Sequence, residues 1–169
     1  MFILGIDPGF TGALSAYDRA SHSLCIHDMP VLKDVGGRTI LNLHRILELL
    51  DVDNTNTLNV TAVLEYVAAR PNQSAPATFR FGQGYGALQM ALAAKNIPVH
   101  YVTPAKWKRH FGLSREKGIS RAIASQRFPA YASMFSRVKD DGRAEATLIA
   151  LYGAEKLISP LNTSQGNHP

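Results

Sequence analysis

The chain opens with Phe2-Ile3-Leu4-Gly5-Ile6, a run with no polar residue until Asp7, and Pro8-Gly9 follow at once. An apolar run stopped by turn formers predicts a buried strand with an acid at its end. Ala13-Leu14-Ser15-Ala16-Tyr17 and Leu24-Cys25-Ile26-His27 predict two further strands, and the three together predict an antiparallel meander. Ile40, Leu41, Leu43, Ile46, Leu47 and Leu50 recur at helical spacing, which predicts a helix over 39–50. Residues 51–59 are polar and rich in asparagine, a loop pattern. Val60-Thr61-Ala62-Val63-Leu64 reads as a fourth strand, and it too ends in an acid, Glu65. A proline-bearing loop is expected over 68–77, a helix over 79–95 and a strand over 98–102. Thr103 and Pro104 then suit the cap and first turn of another helix. A basic helix over 116–128 and a final helix over 143–157 complete the order, and the polar residues 159–169 are expected to fray.

The order β-β-β-α-β-α-β-α-α predicts an α/β fold, a mixed sheet flanked by helices. A length of 169 residues suits one domain, over 1–158, with 159–169 as a flexible tail. Hydrophobic residues at 46% and charged residues at 18% fit a globular protein. The apolar runs are too short to span a membrane. The early Asp7 and the lack of a basic leader speak against a signal peptide. A single cysteine excludes an internal disulfide and a cysteine zinc cluster, so a reducing, cytoplasmic setting is expected. Cys25 and Trp107 are expected in the core, and His110 at the surface. Gly82, Gly84 and Ala87 fit a dinucleotide-binding spacing, but they do not directly follow a strand and no acid stands where a ribose would need one.

Charge changes the picture more than composition does. The net charge is +5, and Lys106, Lys108, Arg109, Arg115, Lys117, Arg121 and Arg127 crowd into one segment in which Glu116 is the only acid. The rest of the chain is close to neutral. A basic patch on a neutral body is the footprint of a polyanion binder.

The acids are the candidate chemistry. A carboxylate placed at the end of a buried strand is costly unless it is paired or binds a cation. If the strands ending in Asp7 and Glu65 are neighbours, both acids reach one sheet edge. A third cluster, Asp140-Asp141-Gly142-Arg143-Ala144-Glu145, puts Asp141 and Glu145 on one face of a helix start. Converging carboxylates form an oxygen-only site for Mg²⁺. Two such ions, about 3.5–4 Å apart, can activate water and stabilise the leaving oxygen in phosphodiester cleavage. Taken singly, each acid has a plainer reading: turn chemistry at Asp7-Pro8-Gly9, or a cap at Asp141.

Gly5-Ile6-Asp7-Pro8-Gly9, followed by Thr11-Gly12-Ala13, resembles the opening of RuvC-type Holliday junction resolvases. Leu64-Glu65 is similar to that family's second acid. Phe81-Gly82-Gln83 through Gly86 is similar to its glycine-glutamine helix start. Pro104 with Lys108, then Gly112 and Lys117, follow its lysine stretch, and Glu145-Ala146 resembles its C-terminal acidic motif. The resemblance covers roughly 1–157 and implies an RNase H-like fold, a homodimer and paired nicks placed symmetrically across four-way DNA. It implies two Mg²⁺ ions per site, with Mn²⁺ able to substitute, held by Asp7, Glu65, Asp141 and Glu145. Lys108 and Lys117 would lie near the scissile phosphate, Lys117 as a catalytic group. Lys106, Lys108, Arg109, Arg115, Lys117, Arg121 and Gln83 would contact DNA.

Two features depart from the family. Its last acidic pair is three residues apart, whereas Gly142 stands three before Glu145, so either Asp140 or Asp141 is the ligand. Where bacterial members carry an aromatic that wedges into the junction, this chain has Ala68, leaving Tyr66, Phe79 or Phe81 as substitutes. Trp107-Lys108 and Asp141-Gly142-Arg143-Ala144-Glu145 look more like phage-borne members, for which the host cytoplasm is the setting. The competing readings are an RNase H-type ribonuclease on RNA–DNA hybrids, a non-catalytic junction-binding module, and an actin-like kinase, for which the chain is too short.

Overall fold

The computed structural model describes residues 1–51, 59–68, 73–114 and 116–158. Most of the expected loop at 51–59, part of that at 68–77, Arg115 and the tail 159–169 lie outside the described residues. In chain order the elements are strands β1 (Phe2–Asp7), β2 (Ala13–Asp18), β3 (Leu24–Asp28), β4 (Val31–Lys33) and β5 (Thr39–Leu41), helix α1 (Leu43–Leu50), and strand β6 (Val60–Glu65). There follow helix α2 (Ala75–Ala94), strand β7 (Val99–Val102), and helices α3 (Pro104–His110), α4 (Ile119–Arg127) and α5 (Asp141–Tyr152). Short 3-10 turns join α4 to α5, and one π turn, Gly153–Leu157, follows α5.

The main sheet runs β3-β2-β1-β6-β7. The first three strands form the expected antiparallel meander, and β6 and β7 add in parallel. This is the mixed sheet flanked by helices that the sequence predicts. Side chains alternate across it. Ile3, Tyr17 and Val63 point to the face covered by α5, where Trp107, Phe135, Leu148 and Ile149 are buried. Leu4, Ile6, Leu14 and Leu64 point to the other face, packed with Ile46 of α1 and Leu88 and Leu92 of α2. Both central strands are therefore apolar on both faces, which is why they read as unbroken apolar runs.

Several expectations need correction. Residues 39–41 are strand, not helix: Thr39, Ile40 and Leu41 pair with Lys33, Leu32 and Val31 across a turn in which Gly37 takes φ +75°. The helix begins only at Leu43, where the Asn42 side chain accepts from the Arg45 N–H. The next helix starts earlier than 79: Ser74 caps it, and Pro76 sits in the first turn, where a missing N–H costs nothing. The basic helix starts at Ile119 because Gly118 adopts φ +81° ahead of it. The last helix starts at Asp141 rather than 143. Thr103 precedes α3 without a side-chain capping bond. Cys25 is exposed, not core. On the edge strand β3, Leu24 and Ile26 alternate into the α5 face, and Cys25 turns outward with its Sγ 3.4 Å from His27 Nε2. Trp107 is fully buried, as expected.

Candidate active site

Ile6 pairs with Leu64 as the last register step between β1 and β6, so Asp7 and Glu65 leave the two strands at the same end. Alternation adds a second constraint. Asp7 follows Ile3 in phase and Glu65 follows Val63, so both carboxylates lie on the α5 face of the sheet.

Small residues bring α5 close to that edge. A Cβ at Gly5 would collide with the backbone of Ala146 and Ala150, and one at Gly142 would collide with Thr11 O and the Gly12 backbone. The helix start is thereby pressed onto the turn after β1, where Gly12 N–H donates to Gly9 O at 2.9 Å. Asp141 and Glu145 then line a cleft of about 490 Å³ together with Asp7, Thr11, Asp28 and Lys139. Asp7 also lines the neighbouring cleft of about 310 Å³ with Glu65, Ala68, Gln73 and Phe81. Asp7 thus stands between the other acids.

Electrostatics express this crowding. Burial pushes the Asp7 carboxyl up to about 7, with Glu65 and then Glu145 adding to the rise; the Gly9 N–H and Lys108 oppose it. Glu65 is buried and accepts from Trp107 Nε1 at 2.8 Å. Glu145 Oε1 accepts from Lys108 Nζ at 3.0 Å and from Ser120 Oγ at 3.2 Å. Asp141 Oδ1 accepts from Arg121 Nε at 2.7 Å. Lys108 and Arg121, two members of the basic segment, therefore reach into the acidic edge.

Asp140 is placed differently. It is buried, its carboxylate takes both Nε and Nη2 of Arg137, and its Oδ2 accepts the Arg137 backbone N–H at 2.8 Å. That pairing holds its carboxyl below the usual range. Arg143 grips Asp28 through Nε and Nη2, at 2.5 and 2.6 Å, and ties the end of β3 to α5. Of the two neighbouring aspartates, Asp141 lines the cleft with Asp7 and Glu145, and Asp140 is occupied by Arg137.

The donor set is oxygen only, which suits Mg²⁺ or Mn²⁺ rather than a soft metal. The upward push on Asp7 is what a cation would relieve. Among the described residues, no three His, Cys, Asp or Glu side chains form a metal cage as they stand. Glu145 and Asp141 instead face Lys108 and Arg121. The residues fit the ions by type and common edge, and ion binding would require those two cations to yield.

The remaining expected contacts spread around this edge. Lys106, Arg109 and Lys117 are exposed, Lys117 on the turn before α4. Gln83 is exposed on α2, beside Phe10 and Arg80. Tyr66 and Phe79 are largely exposed, and Phe81 stacks on Tyr85 with centroids 6.3 Å apart. Sequence reasoning did not find the Trp107–Glu65 bond, Ser120, or the Asp28–Arg143 pair. For Asp28 the signal was present: β3, like β1 and β6, ends in an acid. Nothing in the sequence marks the partner of Trp107.

No family model matches the sequence, and no curated protein does. The fold does have solved counterparts. A structure of Thermus thermophilus RuvC matches with a TM-score of 0.58 at 19% identity, over 91% of this chain and 96% of that one. T. thermophilus RuvC in complex with Holliday junction substrate matches with a TM-score of 0.55, also at 19% identity, over 91% of this chain and 92% of that one. The likeness establishes a RuvC-like, RNase H-like fold.

Proposed function

We propose that this RuvC-like chain is a divalent-metal-dependent endonuclease that resolves four-way DNA junctions as a homodimer. The observation that carries the reading is the placement of Asp7 between Glu65 on one side and Asp141 and Glu145 on the other, beside a segment rich in lysine and arginine. Asp7, Glu65, Asp141 and Glu145 would hold two Mg²⁺ ions, and bound there the ions would supply charge for the leaving oxygen and activate water for attack on phosphorus.

The chain's own groups do the rest. Trp107 orients Glu65, and Ser120 orients Glu145. Once Lys108 and Arg121 are released from Glu145 and Asp141, their charges become available to a phosphodiester. Lys117 offsets negative charge that develops at the scissile phosphate. Arg109, Lys106 and Gln83 bind flanking DNA, and twofold symmetry of the dimer would match that of the junction.

A second reading has a specific observation behind it. Lys108 and Arg121 already neutralise two of the four acids, as they would in a non-catalytic DNA-binding module. Cleavage of four-way, three-way, duplex and RNA–DNA hybrid substrates in Mg²⁺ and in chelator separates the two. The endonuclease reading expects Mg²⁺-dependent paired nicks on the four-way substrate. Tight binding without cuts in Mg²⁺ or Mn²⁺ would leave the binding module, and preference for the hybrid would make the protein a ribonuclease.

A further inference from the structure

The β4–β5 ribbon stands outside the main sheet and carries exposed Lys33, Val35 and Arg38. Its flank meets the first turns of α2. Arg38, Pro76, Phe79 and Arg80 line one cleft, of about 410 Å³. Arg80 also lines the adjoining hollow with Phe10, Ile40, Leu41 and Gln83. Phe10 in turn lines the cleft of Asp7, Asp141 and Glu145, in which Val31 at the foot of the ribbon takes part. Shared walls thus make one track from the carboxylates to the ribbon. From Phe10 onward it runs along the α1–α2 side of the sheet, opposite the face on which α3 and α4 pack.

The chemistry of the track is cationic and aromatic. Among the described residues of the ribbon and the first turns of α2, Lys33, Arg38 and Arg80 stand against one acid, Asp34, which interacts with the two arginines. The Asp34 carboxylate accepts the N–H groups of Gly36 and Arg38 at 2.8 and 2.9 Å, so it is engaged in the turn itself. Lys33 Nζ rests on Thr39 Oγ1, and Arg80 Nε on Pro76 O at 3.3 Å, both neutral partners; the Asp34 charge, which attracts Arg38 and Arg80, offsets only one of the three cations. Phe79, two-thirds exposed, lines the same cleft as Arg38 and Arg80. Arginines flanking an open ring suit a phosphodiester and the sugar or base attached to it.

We infer that the ribbon and the N-terminal turns of α2 form a second DNA-contacting surface, in which Arg38 and Arg80 hold a backbone phosphate and Phe79 covers the adjoining nucleotide. The inference rests on the junction-cleaving function proposed above and deepens it. DNA crossing the carboxylate edge is held from both sides of the sheet, by α3 and α4 on one and by the ribbon on the other.

The test is binding of the full-length protein to a labelled four-way junction, with Ca²⁺ in place of Mg²⁺, across a series of salt concentrations. Removing one cation that neutralises a phosphate reduces the slope of log Kd against log salt by about 0.9. R38A/R80A is expected to lower the slope by roughly 2 and to weaken binding tenfold or more at low salt. R38K/R80K is expected to keep most of the slope, and F79A to weaken binding with the slope unchanged. R45A, on α1 and paired with Glu48, serves as the off-track control. Thermal melting checks that each variant is folded. A folded R38A/R80A with the native slope and affinity overturns the inference alone. Failure of the native protein to bind the junction overturns the proposed function along with it.

Discussion

Trp107 Nε1 donates to Glu65 Oε1 across 2.8 Å from a fully buried indole, and the same ring lies 5.0 Å beneath Lys108 Nζ. One core side chain therefore aims an acid of the candidate site and supports a cation beside it. Trp107→Phe keeps most of the volume and removes the donor. A hydrogen bond to a charged group contributes about 1.5–3 kcal/mol, so the melting temperature should fall by several degrees. Losing an orienting partner typically costs about 10–100-fold in metal affinity or activity. Mg²⁺-dependent cleavage should drop by that factor; a variant that melts lower but cuts at the native rate would deny Trp107 an orienting role.

Asp7 links pH to stability. Its folded pKa of about 7 stands above the ordinary value of 3.8. Below pH 4 the group is protonated in both folded and unfolded states and costs nothing. Between those values the unfolded chain loses the proton first, so stability from this group falls as pH rises and the full cost is present above pH 7. That cost is on the order of 4 kcal/mol. In chelator, Asp7→Asn should therefore melt higher than the native protein at pH 8, with the gap closing near pH 4. With Mg²⁺ the gap should shrink, the variant should still bind junctions, and cleavage should be lost. Normal cutting by Asp7→Asn would remove Asp7 from the site.

Asp140 and Asp141 should separate cleanly. Asp140→Asn weakens the pair between a buried carboxylate and the half-exposed Arg137 guanidinium, and a loss of about 1–2 kcal/mol in stability is expected with Mg²⁺ affinity kept. Asp141→Asn leaves stability within about 0.5 kcal/mol, because its pair with Arg121 is half-exposed, and should reduce Mg²⁺ binding and cleavage tenfold or more. The assignment fails if the two phenotypes are exchanged.

Gly142 is where α5 touches the turn after β1. Gly142→Ala forces a methyl group onto Thr11 O and the Gly12 backbone. Overpacking of this kind costs about 1–3 kcal/mol. Moving the helix start also moves Asp141 and Glu145 away from Asp7, so metal affinity should fall with stability. A variant with native melting and native Mg²⁺ affinity would show that the contact is compliant.

The sequence alone determined the strands that end in Asp7 and Glu65, a last helix beginning within the Asp140–Glu145 cluster, and a mixed sheet flanked by helices. Each depends on apolar periodicity within a few residues, which local chemistry dictates. It misread 39–41, at the start of the expected helix, because Ile40 and Leu41 suit a helix or a strand alike, and only pairing with Leu32 and Val31 decides between them. It misplaced Cys25 because alternation does not say which face of an edge strand will be covered. The choice between Asp140 and Asp141 was likewise closed to it, since the matter turns on which carboxylate Arg137 reaches and which Arg121 reaches. Tertiary structure alone decided that Asp7 and Glu65 share a face, that α5 lies close enough to add its acids, and that Lys108 and Arg121 reach in among them. Those are relations between residues far apart in the chain, set by strand register and by glycine at the points of closest approach.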